Sequence, residues 1–468
     1  MNRKVLIFLA VIFVMVVLMV LHAQNSSQGQ ALYKEYCATC HGSDLAGGNA
    51  GSLIDGDWQF GSKRSHHFRN TKYGIMQRGM PSFEETLNDD QINDILDYLE
   101  DKEGTAFVEK PEYETTVKTL DYKINVQTWI ADLDFPWAID FPDKNTALIT
   151  ERPGRLRTVI DGRLRADAVR GTPDVLDEGQ GGLMDVAIDP EYQQNGWIYL
   201  AYSHTLPEDD DLAMTRIVRG KIVDNNWTEQ QVLYEAAAQH YSDTRYHYGS
   251  RIVFDQTGYL YFPVGDRGAR KQAQELSRPN GKIHRIQRDG TIPADNPFVN
   301  TENALPTIFT YGNRNPQGLA VHPETDMLWE TEHGPMGGDE LNLLRAGMNY
   351  GWPEITYGLN YNGTIISEFT TKPGMEQPIL YWRPSIAVCG LDFYRGDLFK
   401  KWHNDLIVGA LKYEEVRILD IEGERVMHEE VILKNYGRVR DVACGPDGAI
   451  YVVLNEPDEV LRLTPVGL

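Results

Sequence analysis

Residues 252–266 read IVFDQTGYLYFPVGD, two apolar runs joined by Asp-Gln-Thr-Gly. Side chains alternate across a strand, and Asp and Gly suit a tight turn, so the stretch predicts a β-hairpin. The plan returns in LAVHPETDMLWETEHG (319–334) and VACGPDGAIYVVLNE (442–456). Working outward, six stretches share it: Trp137–Thr150, Leu183–Tyr202, Ile252–Gly265, Leu319–Thr331, Leu391–Gly409 and Val442–Leu454. One such unit cannot bury both faces of its sheet, so the units must pack on one another. Radial closure also removes exposed sheet edges. Residues 126–468 are therefore expected to form an all-β six-bladed propeller, with the irregular spacing taken up by long loops that carry the site. A pair of β-sandwiches is the competing architecture, and six related turns in series argue against it.

Upstream the texture changes. Asn2-Arg3-Lys4 precede an unbroken apolar run, Val5 to Leu21, with polar character returning at His22. Residues 1–24 are read as a signal peptide or membrane anchor, which implies export to the periplasm, either soluble or held at the inner membrane. Residues 30–103 have helical patterning, and 104–125 read as a linker. In the last helix Asn88 or Asp89 can cap, while Ile92, Ile95, Leu96 and Leu99 recur on one face. The chain is thus multidomain, a small all-α domain followed by the propeller. Its 45 basic and 68 acidic residues leave a charge of -23, which excludes a nucleic-acid partner because phosphates would be repelled. The same charge suits neutral substrates or a basic electron-transfer partner.

Cys37, Cys40 and His41 spell CATCH, the attachment pattern of c-type haem, in which two thiols bond the porphyrin and the histidine ligates iron. A zinc or redox CxxC is the competitor, and the lack of a second ligand cluster argues against zinc. Gly79-Met80-Pro81-Ser82-Phe83 offers a sixth ligand in Met80, ahead of Met76, with His66 and His67 as rivals. The order of attachment motif, GMP segment and closing helix resembles class I cytochromes c. That resemblance implies one haem c with His41 and Met80 as its axial pair. Cys389 and Cys444 either pair or serve as small buried residues.

In the propeller, Arg314 and Asn315 follow a strand-like run, Lys412 ends IVGALK, and Arg438 and Arg440 flank Val439. These cation and amide donors at blade edges are costly to converge without an anion, and a tricarboxylate is one such anion. Taken singly, each reads as a solvated surface charge. His247 lies just before the third repeat, where its ordinary pKa would suit a general base.

Four motifs occur in order: YHYGSRIVFDQTGYLYFPVGDRG (246–268), YGNRNPQGLAVHP (311–323), EHGPMGGDELNLLRAGMNYGWP (332–353) and RVRDVACGPDG (438–448). Together they resemble the PQQ-dependent glucose/sorbosone dehydrogenase family, particularly its soluble aldose sugar dehydrogenases, over nearly all of Val126–Leu468. The resemblance implies oxidation of an aldose at C1, with His247 as the base that takes the C1 hydroxyl proton while the hydride passes to PQQ. It implies that Arg314 and Asn315 hold the quinone, that Gln180 lies near quinone and substrate, and that Lys412, Arg438 and Arg440 bind the cofactor carboxylates. Tyr361 is implied as a lining residue. Calcium at PQQ is matched by Gly334 and Pro335, and a second calcium by Glu340 and the Tyr350 segment. The fused haem would take the electrons and pass them to a downstream acceptor such as a soluble cytochrome or a respiratory-chain component. The alternatives are a non-catalytic binding propeller, or a dehydrogenase of the same fold for a non-aldose substrate such as sorbosone.

Overall fold

The computed structural model describes residues 28–45, 47, 50–54, 64–75, 80–103 and 115–467. The expected signal or anchor segment 1–24, Met76, Gly79 and residues 104–114 of the expected linker lie outside the described residues. Among the described residues no helix is long and apolar enough to cross a membrane. The chain divides into two compact units, Met1–Glu112 and Tyr113–Leu468.

The first unit contains helices at residues 28–36, Ala38–His41, Arg64–Tyr73 and Asp89–Glu103. Its closing helix starts with a reciprocal cap. Asn88 Oδ1 accepts the Gln91 N–H at 2.9 Å, and Gln91 Oε1 accepts the Asn88 N–H at 3.0 Å. Asn88 is therefore the cap and Asp89 the first helical residue. The apolar face expected from the sequence, Ile92, Ile95, Leu96 and Leu99, is buried with Tyr33, Leu45, Leu87 and Tyr98.

The second unit is a six-bladed β-propeller. Blade one is the sheet β3–β6 (from Pro136–Asp143 to Arg163–Leu164), and blade two is β7–β10 (from Leu183–Ile188 to Asn226–Tyr234). Blades three, four and five are β11–β14 (from Val253–Phe254 to Ile308–Tyr311), β15–β18 (from Pro316–Val321 to Leu380–Trp382) and β19–β22 (from Val388–Phe393 to Arg425–Lys434). The six sequence repeats correspond to the first two strands of each blade.

The sixth blade joins both ends of the unit. Its order is β1 (Thr116–Lys118), β2 (Lys123–Ile130), β25 (Glu459–Pro465), β24 (Ile450–Asn455) and β23 (Arg438–Cys444). β2 pairs antiparallel with β25, from Ile124 opposite Pro465 to Ile130 opposite Val460. Part of the stretch read as a linker thus supplies the outer strands of the closing blade. Aspartates latch successive blades. Asp140 accepts the Ile188 N–H, Asp185 that of Ile252, Asp392 that of Cys444, and Asp441 that of Ile139, which closes blade six onto blade one. Arg251 spans the centre, bonded at 3.0 Å to both Asp185 and Asp441.

Candidate active site

In an antiparallel hairpin the start of the first strand and the end of the second lie at the same sheet end. Gln180, His247, Arg314 and Asn315 precede the first strands of blades two, three and four, and Arg438 and Arg440 open that of blade six. Asp266, Gly334 and Lys412 follow the second strands of blades three, four and five. Topology alone gathers these residues at one end of the propeller.

His247 has φ +58°, an uncommon conformation for a residue with a side chain. Its N–H donates to Gln180 Oε1 at 2.8 Å, and its Nδ1 lies 2.6 Å from Asp266 Oδ1. Asp266 is fully buried and also accepts the Trp352 indole N–H at 2.7 Å and the Gly268 N–H at 2.8 Å. Burial opposes ionisation of Asp266, yet His247, Arg314 and the Gly268 N–H hold its carboxyl below the ordinary range. An ionised Asp266 places the ring proton on Nδ1 and leaves Nε2 with its lone pair. Burial and Arg314 in turn hold the His247 imidazole below its ordinary value, against the pull of Asp266. The close approach requires Gly265, where a Cβ would lie 2.3 Å from the His247 carbonyl oxygen and 2.9 Å from Asn315 Oδ1.

Arg314 is buried, its Nη1 donating to the His333 and Gly334 carbonyls at 2.7 and 2.8 Å. Asn315 Oδ1 accepts the Gly249 N–H at 3.2 Å. Arg440 is buried over the Trp137 ring, 4.1 Å from its centroid, and bonds to Asn455 Oδ1. Among the described residues no carboxylate is bonded to its guanidinium. Burial, reinforced by Arg438, Arg251 and Arg152, pulls Arg440 down to about 10. Lys412 is exposed and Arg438 half-buried. A buried guanidinium without a bonded carboxylate, as at Arg440, suits a ligand that carries one.

The Gly334 and Pro335 carbonyls accept Arg314 and Ser385, each retaining a second lone pair for a hard cation. Beside them Glu330 and Glu332, on β16 (Leu328–Glu332), face Glu340 and Asn342, on β17 (Asp339–Leu344). Burial lifts Glu340 to about 7 and holds Glu330 and Glu332 well above the carboxylate range. Glu330 Oε1 and Asn342 Oδ1 are buried without a hydrogen-bond partner. Three crowded carboxylates, one with an orphaned oxygen beside an orphaned amide oxygen, are a donor set that fits calcium. Tyr350 spends its hydroxyl on Leu343 and Arg345, so a metal contact there would use its main chain. Tyr361 is 57% exposed on a loop, apart from the buried groups.

In the first unit His41 Nδ1 lies 2.9 Å from the Gly51 carbonyl, a contact that leaves Nε2 for iron. Cys37 and Cys40 are free thiols, as an attachment site needs, and burial raises Cys37 to about 11. Met80 forms a backbone bridge with Ile75, and His66 is buried on the Arg64–Tyr73 helix. Cys389 and Cys444 are also free, so they are not a disulfide.

Sequence reasoning missed Asp266, Trp352, Glu330, Glu332, Asn342 and His333. Asp266 had a usable signal, standing at the end of the hairpin that His247 opens. His333, whose Nε2 is buried without a partner, is drawn down to about 3 by burial and by Arg314, Arg440 and His247. Nothing in its local sequence indicates that neighbourhood.

Residues 133–462 match the family described as Glucose / Sorbosone dehydrogenase, and residues 24–99 match Cytochrome C oxidase, cbb3-type, subunit III. The Aldose sugar dehydrogenase YliI of Escherichia coli is 41% identical over 73% of this chain and 93% of its own length. Quinoprotein glucose dehydrogenase B of Acinetobacter calcoaceticus is 27% identical over 70% of this chain and 84% of its own. The crystal structure of the soluble aldose sugar dehydrogenase from Escherichia coli in the apo-form superposes with a TM-score of 0.69 at 38% identity, covering 73% of this chain and 99% of that one.

Proposed function

The chain belongs to the glucose/sorbosone dehydrogenase family, and from that premise we propose that it oxidises an aldose at C1 to the aldonolactone, using PQQ and calcium, and delivers the electrons to its own haem c. The observation that carries this reading is the buried His247–Asp266–Trp352 chain of hydrogen bonds, set beside Arg440, a buried guanidinium to which no carboxylate is bonded among the described residues.

The residues divide the work. His247 Nε2 takes the proton of the C1 hydroxyl, and Asp266 fixes the tautomer and steadies the imidazolium that forms. Arg314 and Asn315 orient the quinone end of the cofactor, and Lys412, Arg438 and Arg440 hold its carboxylates. Gln180 fixes the strained backbone of His247 from the substrate side. Gly334 and Pro335 hold the calcium at the cofactor, while Glu340 and the Tyr350 segment hold a second one. When bound, PQQ supplies the two-electron acceptor for the C1 hydride, calcium polarises it as a Lewis acid, and haem c supplies a one-electron acceptor. Cys37 and Cys40 attach the haem, and His41 and Met80 ligate it. The downstream acceptor is a soluble cytochrome or respiratory-chain component reached in the periplasm.

The test uses purified haem-containing protein given calcium, PQQ and a panel of aldoses while the reduced haem band is followed. Haem reduction should need PQQ and sugar together, disappear in His247→Ala, and fail with methyl glycosides, which have no free C1 hydroxyl. Reduction that persists with methyl glycosides would move the substrate outside aldoses. No reduction with any sugar would favour a binding propeller.

A further inference from the structure

Arg152 directly follows β4 (Thr146–Glu151) in the first blade, as Lys412 comes just after β20 (Leu406–Ala410) in the fifth. The fold therefore brings it to the same end of the propeller as His247 and Arg440. Its side chain is only 4% exposed. Nε donates to Asp177 Oδ1 at 2.6 Å, but Nη2 is buried with no hydrogen-bond partner among the described residues. An orphaned guanidinium N–H is costly, and it is the kind of group that a ligand completes.

Packing holds the group in place. The Arg152 guanidinium carbon lies 4.8 Å from the Phe135 ring centroid, the Phe135 and Trp137 centroids are 6.3 Å apart, and the Arg440 guanidinium lies 4.1 Å from the Trp137 centroid. The wall thus runs guanidinium, ring, ring, guanidinium. Gly182, two residues from Gln180, makes room, since a Cβ there would lie 2.4 Å from both Arg152 Cγ and its carbonyl oxygen. The two arginines also oppose one another electrostatically, and Arg152 contributes to the lowered basicity of Arg440. An anionic ligand lying along this wall would relieve that repulsion and complete Nη2.

We propose that Arg152 is a further ligand-binding residue of this site, donating through Nη2 to a carboxylate of the anionic cofactor that Arg440 also holds. The inference rests on the PQQ reading above. Asp177 has a positioning role, aiming the guanidinium from behind.

Calorimetric titration of the calcium-loaded, haem-containing protein with PQQ tests it, comparing wild type with Arg152→Gln, Arg152→Lys and Asp177→Asn. Loss of a charge-assisted hydrogen bond predicts roughly 10- to 100-fold weaker PQQ binding in Arg152→Gln. Arg152→Lys, which keeps the charge but not the forked donors, should fall between Arg152→Gln and wild type. Asp177→Asn, still able to accept from Nε, should bind within about threefold of wild type. Equal affinity in wild type and Arg152→Gln overturns the proposal. So does an Asp177→Asn loss as large as that of Arg152→Gln, which would reduce Arg152 to a partner of Asp177. Should Arg152→Gln fail to fold, Arg152→Lys decides, and wild-type affinity there counts against the proposal. A wild-type protein that binds no PQQ defeats the underlying reading as well, a result distinguishable because no variant then has an affinity to lose.

Discussion

His247 combines a left-handed backbone, a Gln180 brace and a buried carboxylate on its ring. Each has a direction that experiment can check. A base works only when neutral, so activity falls as pH drops through the His247 value. Burial and Arg314 hold that value below the ordinary range, so the acid limb of kcat/KM should lie below about 6.5. Asp266 pulls the other way, so Asp266→Asn should move the limb to still lower pH. It should also slow turnover by roughly 10- to 100-fold, through loss of a charged hydrogen bond. A limb that stays in place, or moves upward, would separate Asp266 from the base. His247→Ala should lose about 10²- to 10⁴-fold in kcat. The histidine itself was legible from its motif. Its partner had the hairpin as its only signal, since the pairing depends on two ends of one hairpin meeting across 19 residues.

The β16–β17 ladder places Glu330, Glu332 and Glu340 together on one element pair. Without a cation, burial and mutual repulsion raise their carboxyls, Glu340 to about 7. The folded protein then binds more protons than the unfolded chain, whose glutamates titrate near about 4.3. The stability these protons confer is complete below that value and is lost as pH rises through about 7. Calcium-free protein should therefore melt several degrees lower at pH 8 than at pH 5.5, and added calcium should restore more stability at pH 8. Thermal unfolding with and without calcium at both pH values measures this. A calcium effect that is absent, or larger at the acid pH, would remove the cation from this ladder. Glu340 was readable from its motif, whereas Glu330 and Glu332 read only as alternate residues of a strand. Register across the ladder makes them neighbours.

At the scale of the molecule, closure depends on β2, which lies in sequence before any repeat and pairs with β25 at the far end. A chain beginning at Tyr113 should fold and retain PQQ-dependent sugar oxidation with an artificial dye, but no longer reduce haem. A chain beginning at Ala131 lacks β1 and β2, leaves β25 as a bare edge, and should aggregate or melt without cooperativity. Equal cooperative melting of the two would show that closure does not need those strands. The repeats in the sequence specified six hairpins, hence the propeller, because period-two patterning and turn residues act locally and recur in each blade. CATCH is legible for the same reason, since its residues are adjacent. Tertiary structure alone decided that residues 116–130 belong to the last blade, that Trp352 supports Asp266, and that Arg152 and Arg440 share one wall with Phe135 and Trp137. Those relations join residues that are distant along the chain, and they exist only once six blades have closed around a common centre.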